Sequence, residues 1–277
     1  KNKIGMNYSN YREAGKFYGN SKHKMSLASY IQNAIHKNAL RLAFQPIISS
    51  HTGKVMCYEC LLRIVEDDGT IKSAGPFIPI AEELGFMEEI DKIVLHKVQE
   101  ELVRNPSVIL AFNISNQTVD SNNWLKTAEE LLKVSSIASR TIVEITETGI
   151  QRDLRTIAYF VASLQSLGCQ VALDDFGAGY TSFKQLKALP VDIIKIDGSF
   201  VQNMVTNSDN RLFVETLLNF TNSFGLRTVA EYVENGEIAK SLMDMNVDYL
   251  QGHYFSPAVN HRPWVCEGPD DEKSLLL

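Results

Sequence analysis

The stretch QVALDDFGAGYTSF, residues 170–183, sets Asp174 and Asp175 side by side where an apolar run gives way to glycines. Adjacent carboxylates repel, and at a half-buried strand end the pair raises the free energy unless positive charge sits on it. A solvated turn needs only one Asp and a Gly, so the second Asp requires a reason. Other oxygen-bearing side chains interrupt apolar runs in the same way: Glu59 in CYECLL, Asn113 in AFNIS, Glu144 in VEITE and Glu231 in TVAEYV. A solvated face does not explain Glu59 or Glu231, whose neighbours are apolar. Brought together, these five carboxylates and one amide form a hard-oxygen ligand set without His or thiolate, suited to Mg²⁺ or Mn²⁺ rather than Zn²⁺. One of two adjacent carboxylates can then bridge a pair of cations while the other holds the second. Two-metal sites of that kind serve in-line displacement at phosphorus. GAGYTS lacks the third glycine of G-x-G-x-x-G, which argues against a dinucleotide-binding loop.

Convergence of these residues requires a scaffold. Eight short runs rich in Val and Ile recur along the chain: LRLAFQPII (40–48), VMCYECLLRIV (55–65), SVILAFNIS (107–115), TIVEITE (141–147), CQVALDD (169–175), VDIIKID (191–197), LRTVAEYV (226–233) and VDYLQG (247–252). They read as strands. Amphipathic helical pattern fills most gaps. Ile90, Val94, Val98 and Leu102 form one stripe; Phe213, Val214, Leu217, Leu218, Thr221 and Phe224 form another, stopped by Gly225. LASYIQNAIHKNAL, preceded by Ser26, reads as an opening helix. The alternation predicts an α/β fold with parallel strands, closed as a TIM (β/α)8 barrel. Only SSHTGK, residues 49–54, joins the first two runs. That is too short for a parallel crossover, so the first strand is expected antiparallel and the barrel modified. In such barrels the chemistry sits at the C-terminal strand ends. Those ends carry Glu59 with Arg63, Asn113, Glu144 with Glu147, Asp174 with Asp175, Lys195 with Asp197, Glu231 with Glu234, and Gln251.

Bulk properties narrow the function. The 277 residues are 44% hydrophobic and 22% charged, a composition that supports one large domain. Net charge is −6, unevenly spread: residues 1–24 hold six Lys/Arg against one Glu, and the remainder 21 basic against 32 acidic. An acidic body grips nucleic-acid polymers poorly and suits cations. Cys57 and Cys60 form a C-x-x-C without a second pair or a His cluster, and strand alternation sends them to opposite faces, so core packing is expected. No apolar run approaches ~18 residues and there is no signal peptide, so membrane contact is not expected from this fragment. Because the chain opens on Lys1 rather than Met, it reads as a piece of something longer. Residues 1–24 read as a linker or the remnant of a preceding domain, 25–262 as the barrel domain, and 263–277 as a polar C-terminal tail.

FQPI, YECLLR, FIPIAEELG, FNIS, VEITET, LDDFGAGYTSF, LPVDIIKIDGSFV, VAEYVE and LQGHYFSP follow one another over residues 26–258. In this order they resemble the EAL-domain family of cyclic di-GMP phosphodiesterases. The resemblance implies a TIM barrel with an antiparallel first strand, and metal-dependent hydrolysis of cyclic di-GMP to linear pGpG in bacterial second-messenger signalling. It also implies a role for each residue. Glu59, Asn113, Glu144 and Asp174 hold the first metal; Asp174 bridges to the second, completed by Asp175 and Glu231. Lys195 orients and activates the attacking water, while Gln45, Arg63 and Gln251 contact the substrate or its bound water. Pro257 packs against a guanine, and Glu147 anchors the loop 174–182. A homodimer, an upstream regulatory domain and a cytoplasmic location follow from the same resemblance, with membrane tethering of a full-length protein left open. Cys60, Tyr232, His253 and Ala178 depart from the family pattern without removing a ligand, and Tyr232 sets a large side chain beside Glu231. Two other functions stand beside hydrolysis. A cyclic di-GMP receptor without turnover would be marked by a broken ligand set, and here the set is intact. Lys195 as the Schiff-base lysine of a barrel aldolase is opposed by the surrounding carboxylates, which keep an amine protonated.

Overall fold

The computed structural model describes residues 21–147, 154–179 and 183–265. Its strands are β1 (Leu40–Ser49), β2 (Val55–Val65), β3 (Ile71–Ser73), β4 (Leu110–Ile114), β5 (Thr141–Thr146), β6 (Gln170–Phe176), β7 (Ile193–Ile196), β8 (Arg227–Ala230) and β9 (Tyr249–Leu250). They pair in the order β1-β9-β8-β7-β6-β5-β4-β2-β3, and a further β1–β2 ladder closes the ring. From β4 through β9 the pairings are parallel, as is β2 with β4. β1 runs antiparallel to both neighbours, as the short connection from Ser50 to Lys54 requires, and Gly53 turns that loop at φ +67°. The short β3 extends β2 as a hairpin outside the barrel, an element that IKS alone does not announce.

Strand alternation sorts side chains into two shells. Outward-facing residues, Cys60 among them, join one large core with the surrounding helices. The helix Met87–Arg104 buries Ile90, Val94, Leu95, Val98 and Leu102; the helix Ser208–Ser223 buries Val214, Leu217, Leu218 and Thr221. Phe224, expected to extend the second stripe, is exposed because the helix has already ended beside Gly225 at φ +68°. The opening helix spans Ser21–His36, starting upstream of Ser26. Trp264, in the stretch expected as a polar tail, sets its ring edge-on to Phe44 at 4.7 Å.

Inside the barrel lies a separate apolar ring: Ile47, Cys57, Ala111, Ile142, Ala172, Ile193 and Val229, with Tyr249 partly buried beside them. Each barrel strand supplies one member. Cys57 inside and Cys60 outside is the opposite-face arrangement expected of C-x-x-C in a strand, and burial raises both thiols well above their ordinary range.

One loop is held by a carboxylate from the helical layer. Asp91, buried on the helix Met87–Arg104, accepts a hydrogen bond from the Ser115 backbone N–H at 2.9 Å and one from Thr118 Oγ1 at 2.6 Å. Those contacts fasten the chain just beyond Asn113 at the end of β4. Burial pushes the Asp91 carboxyl up to about 7 from 3.8, outweighing the two hydrogen bonds that favour its charged form. With the folded value above the unfolded one, the stabilising contribution is complete below about pH 4 and lost as pH rises through about 7. Asp91→Asn, a neutral isostere, should therefore gain melting temperature relative to the wild type between about pH 4 and pH 8, by a few degrees. Parallel curves for the two proteins would contradict this.

Candidate active site

Two residues along each parallel strand from the apolar ring stands a polar one: Glu59 after Cys57, Asn113 after Ala111, Glu144 after Ile142, Asp174 after Ala172, Lys195 after Ile193 and Glu231 after Val229. Gln45 on the reversed β1 and Gln251 just past β9 complete this second ring. Gln45 lies opposite Glu59 in the β1–β2 register. A period of two, repeated on eight strands, converts apolar floor into polar mouth.

Lys195 is the hub. Its side chain is 1% exposed, and Nζ lies 2.9 Å from Glu144 Oε2, 2.9 Å from Glu231 Oε1, 3.0 Å from Asp174 Oδ1 and 3.6 Å from Glu59 Oε2. Burial by itself would lower the Lys195 pKa, but the four carboxylates outweigh it and hold the amine well above its usual range. An ammonium fixed in this way cannot serve as a neutral Schiff-base nucleophile. Burial also raises Glu144, Asp174 and Glu231, against the pull of Lys195. One ammonium leaves the four acids undercompensated, and a proton or a bound cation could balance them.

Asp174 and Asp175 meet their neighbour strand irregularly. Leu173 pairs with Ile194 and Phe176 with Ile196, so both aspartates oppose the single residue Lys195. This is a β-bulge, and Asp175 takes φ +54° within it. A regular strand would send adjacent side chains to opposite faces. The bulge instead keeps both carboxylates at the mouth, Asp174 buried and Asp175 at the rim, with the Asp175 N–H bonded to Asp174 Oδ1 at 3.0 Å. Two oxygen groups result, each with its ligand atoms within 4.8 Å of one another: Glu59–Glu144–Asp174 and Asp174–Asp175–Glu231. Asp174 belongs to both.

The amides complete the geometry. Asn113 Nδ2 donates to Glu59 Oε1 at 2.8 Å, which leaves its Oδ1 as the atom it can offer a cation. Gln251 Nε2 donates to Glu59 Oε2 at 2.5 Å and, more weakly, to Gln45 Oε1 at 3.4 Å. Its Oε1 is buried without a hydrogen-bond partner among the described residues, an acceptor fit for a bound water or a ligand N–H. Gln45 Nε2 donates to the Ser256 carbonyl at 3.1 Å, bringing the exposed Pro257 to the rim. Arg63 lies on the face of β2 shared with Glu59, and burial lowers its pKa while Glu59 opposes the change. Asp197 caps the short helix Gly198–Val201, and Glu234 is exposed, so neither strand-end acid joins the ring.

Glu147 ties the loop beyond β6. Its buried carboxylate accepts backbone N–H bonds from Gly177 at 2.8 Å and Gly179 at 3.0 Å through Oε2. A Cβ at position 179 would stand 2.8 Å from Glu147 Oε1, so glycine is what lets the loop backbone approach.

The EAL domain profile matches residues 28–258. The chain belongs to the EAL domain family. Among curated relatives, the EAL chain is 34% identical over 237 residues to the cyclic di-GMP phosphodiesterase PdeF of Escherichia coli K12, covering 84% of this chain and 32% of that protein. It is 34% identical over 229 residues to the cyclic di-GMP phosphodiesterase PdeB of Shewanella oneidensis, covering 80% and 27%. The chain thus spans about a third or less of the curated relatives it matches. Among solved structures, the PaMucR phosphodiesterase in its c-di-GMP complex superposes with a TM-score of 0.78 at 27% identity, covering 84% of this chain and 97% of that one. That likeness agrees with the modified TIM barrel described above.

Missing from the strand-end reading were the bulge and Asp91. Asp91 had a faint signal, an acid between the stripe residues Ile90 and Val94. For the Glu147 clamp, Glu147→Ala should speed amide exchange at Gly177 and Gly179 by at least about tenfold, because each lost bond to the charged carboxylate is worth roughly 1.5 kcal/mol or more. Glu147→Gln retains one acceptor oxygen and should exchange more slowly than Ala. Unchanged exchange in the Ala variant would show that other contacts hold the loop.

Proposed function

We propose that this EAL domain hydrolyses one phosphodiester of cyclic di-GMP, giving linear pGpG, with a pair of Mg²⁺ or Mn²⁺ ions as cofactor. The observation that carries the proposal is the sharing of Asp174 between two adjacent carboxylate groups. Support comes from relatives named as cyclic di-GMP phosphodiesterases. In this proposal Glu59, Asn113, Glu144 and Asp174 hold one ion; Asp174, Asp175 and Glu231 hold the other. When bound, such ions polarise phosphoryl oxygens and lower the pKa of a coordinated water.

The chain's own residues orient the rest. Lys195 keeps its charge and, from the centre of the carboxylates, favours negative charge developing on an attacking water oxygen or a phosphoryl oxygen. The water oxygen bonds to phosphorus, the phosphorus–oxygen bond to one ribose 3′ carbon breaks, and the water's proton ends on that leaving oxygen. Arg63, a guanidinium at the mouth, suits a phosphate. Gln45 and the free Gln251 Oε1 suit a base edge or a positioned water, and Pro257 offers an apolar surface to a guanine. Glu147 holds the loop that carries Asp175 in register. A homodimer, an upstream regulatory domain and a cytoplasmic location remain part of the proposal, along with a barrel unit bounded near residues 25 and 262. No helix among the described residues is long and apolar enough to cross a membrane.

A cyclic di-GMP receptor without turnover is the competing function, and the complete ligand ring speaks against it. Incubation with cyclic di-GMP and Mg²⁺ or Mn²⁺ should yield pGpG; excess chelator should stop the reaction, and Ca²⁺ should inhibit through its larger, looser coordination. Binding without product would favour the receptor. Asp174→Asn retains an oxygen for Lys195 and for the Asp175 N–H while deleting the shared charge. Turnover should fall at least ~100-fold, with chelator-treated melting no lower than wild type, since a repelling charge is gone. Wild-type turnover in that variant would defeat the proposal.

A further inference from the structure

Four non-glycine residues among those described hold φ in the left-handed region: Asn38, Asp175, Tyr232 and Asn246. Asn and Asp adopt that conformation readily, because a short polar side chain can bond locally; a bulky aromatic does so only when its surroundings impose it. Tyr232, at φ +54°, follows Glu231 beyond the end of β8 and therefore stands on the rim of the mouth. Its root packs over Gly198, the first residue of the short helix after β7. A Cβ at position 198 would lie 2.2 Å from Tyr232 Cδ2, so glycine there is what admits the ring. Tyr232 is thus seated between the exits of β7 and β8, the strands that carry Lys195 and Glu231, yet the residue as a whole remains 52% exposed. An aromatic residue anchored at its root and half exposed offers a rigid, apolar surface of the kind on which a nucleobase stacks.

We propose that Tyr232 is a substrate-positioning residue whose ring stacks on a purine of the bound cyclic dinucleotide at the mouth. The inference rests on the function proposed above. A ring that contacts the base and not the reacting phosphate contributes to binding, and the hydrolytic step proceeds without it.

Tyr232→Gly suits the backbone conformation, so the variant should fold and melt within a few degrees of wild type. Its KM for cyclic di-GMP should rise about tenfold with kcat within about twofold, the pattern of lost stacking. Tyr232→Phe retains the ring and should restore the wild-type KM. An unchanged KM in the Gly variant overturns the proposal. Loss in Phe equal to that in Gly overturns it as well, because the hydroxyl would then be the contact. Absence of pGpG with the wild type would instead defeat the proposed hydrolysis. Calorimetric titration of chelator-treated protein with cyclic di-GMP then decides on the ring: binding weakened in Gly but not in Phe supports it, and equal binding in all three overturns it.

Discussion

The site is organised around the Lys195 ammonium, buried among Glu59, Glu144, Asp174 and Glu231. Taking these groups from water costs several kcal/mol for each ion even after relaxation; one ammonium does not offset four carboxylates, and burial accordingly raises the Glu144, Asp174 and Glu231 pKa values. The barrel tolerates the imbalance because its stability comes from elsewhere. Beneath the charges lies the apolar ring, and outside the strands lies the continuous core shared with the helices. The carboxylates are therefore held in a rigid wall, an oxygen lining that would suit small, hard cations of high charge.

Backbone strain gathers at the same place. Asn38 and Asn246 take left-handed conformations right after helices, where asparagine is at ease. Asp175 and Tyr232 take theirs beside the carboxylate ring, each following an acid of that ring. Residues held in this way cost on the order of 1–3 kcal/mol and persist only where the surroundings over-determine them. For Asp175 the surroundings are the bulge opposite Lys195 and the Glu147 clamp on Gly177 and Gly179. For Tyr232 they are the packing over Gly198. Helical-layer groups reach the mouth as well, through Asp91 and its hold on the turn after β4.

Much of this was legible in the residues themselves, for a physical reason. A closed barrel puts every second residue inside, so a polar side chain in an otherwise apolar strand has only the mouth to face; Glu59, Glu144 and Glu231 declare themselves by that rule alone. Loop length told the direction of β1, because six residues cannot cross a parallel sheet. What was hidden depended on φ and on distant packing. Strand alternation would part Asp174 from Asp175, and only the bulge reunites them. Glu234 follows Glu231 closely in sequence yet faces solvent: Glu231 stands directly after the last residue of β8, whereas Glu234 lies three residues further along the loop. Asp91 sits on a helix whose pattern reads as plain core.

The central claim is that buried carboxylates in excess of the Lys195 charge define a two-ion site sharing Asp174. Electron paramagnetic resonance of chelator-treated protein reloaded with Mn²⁺ tests it most directly. One ion for each of the two oxygen groups, magnetically coupled through the shared carboxylate, is the predicted result. Absence of bound Mn²⁺, or a single isolated ion at saturating metal, would contradict it.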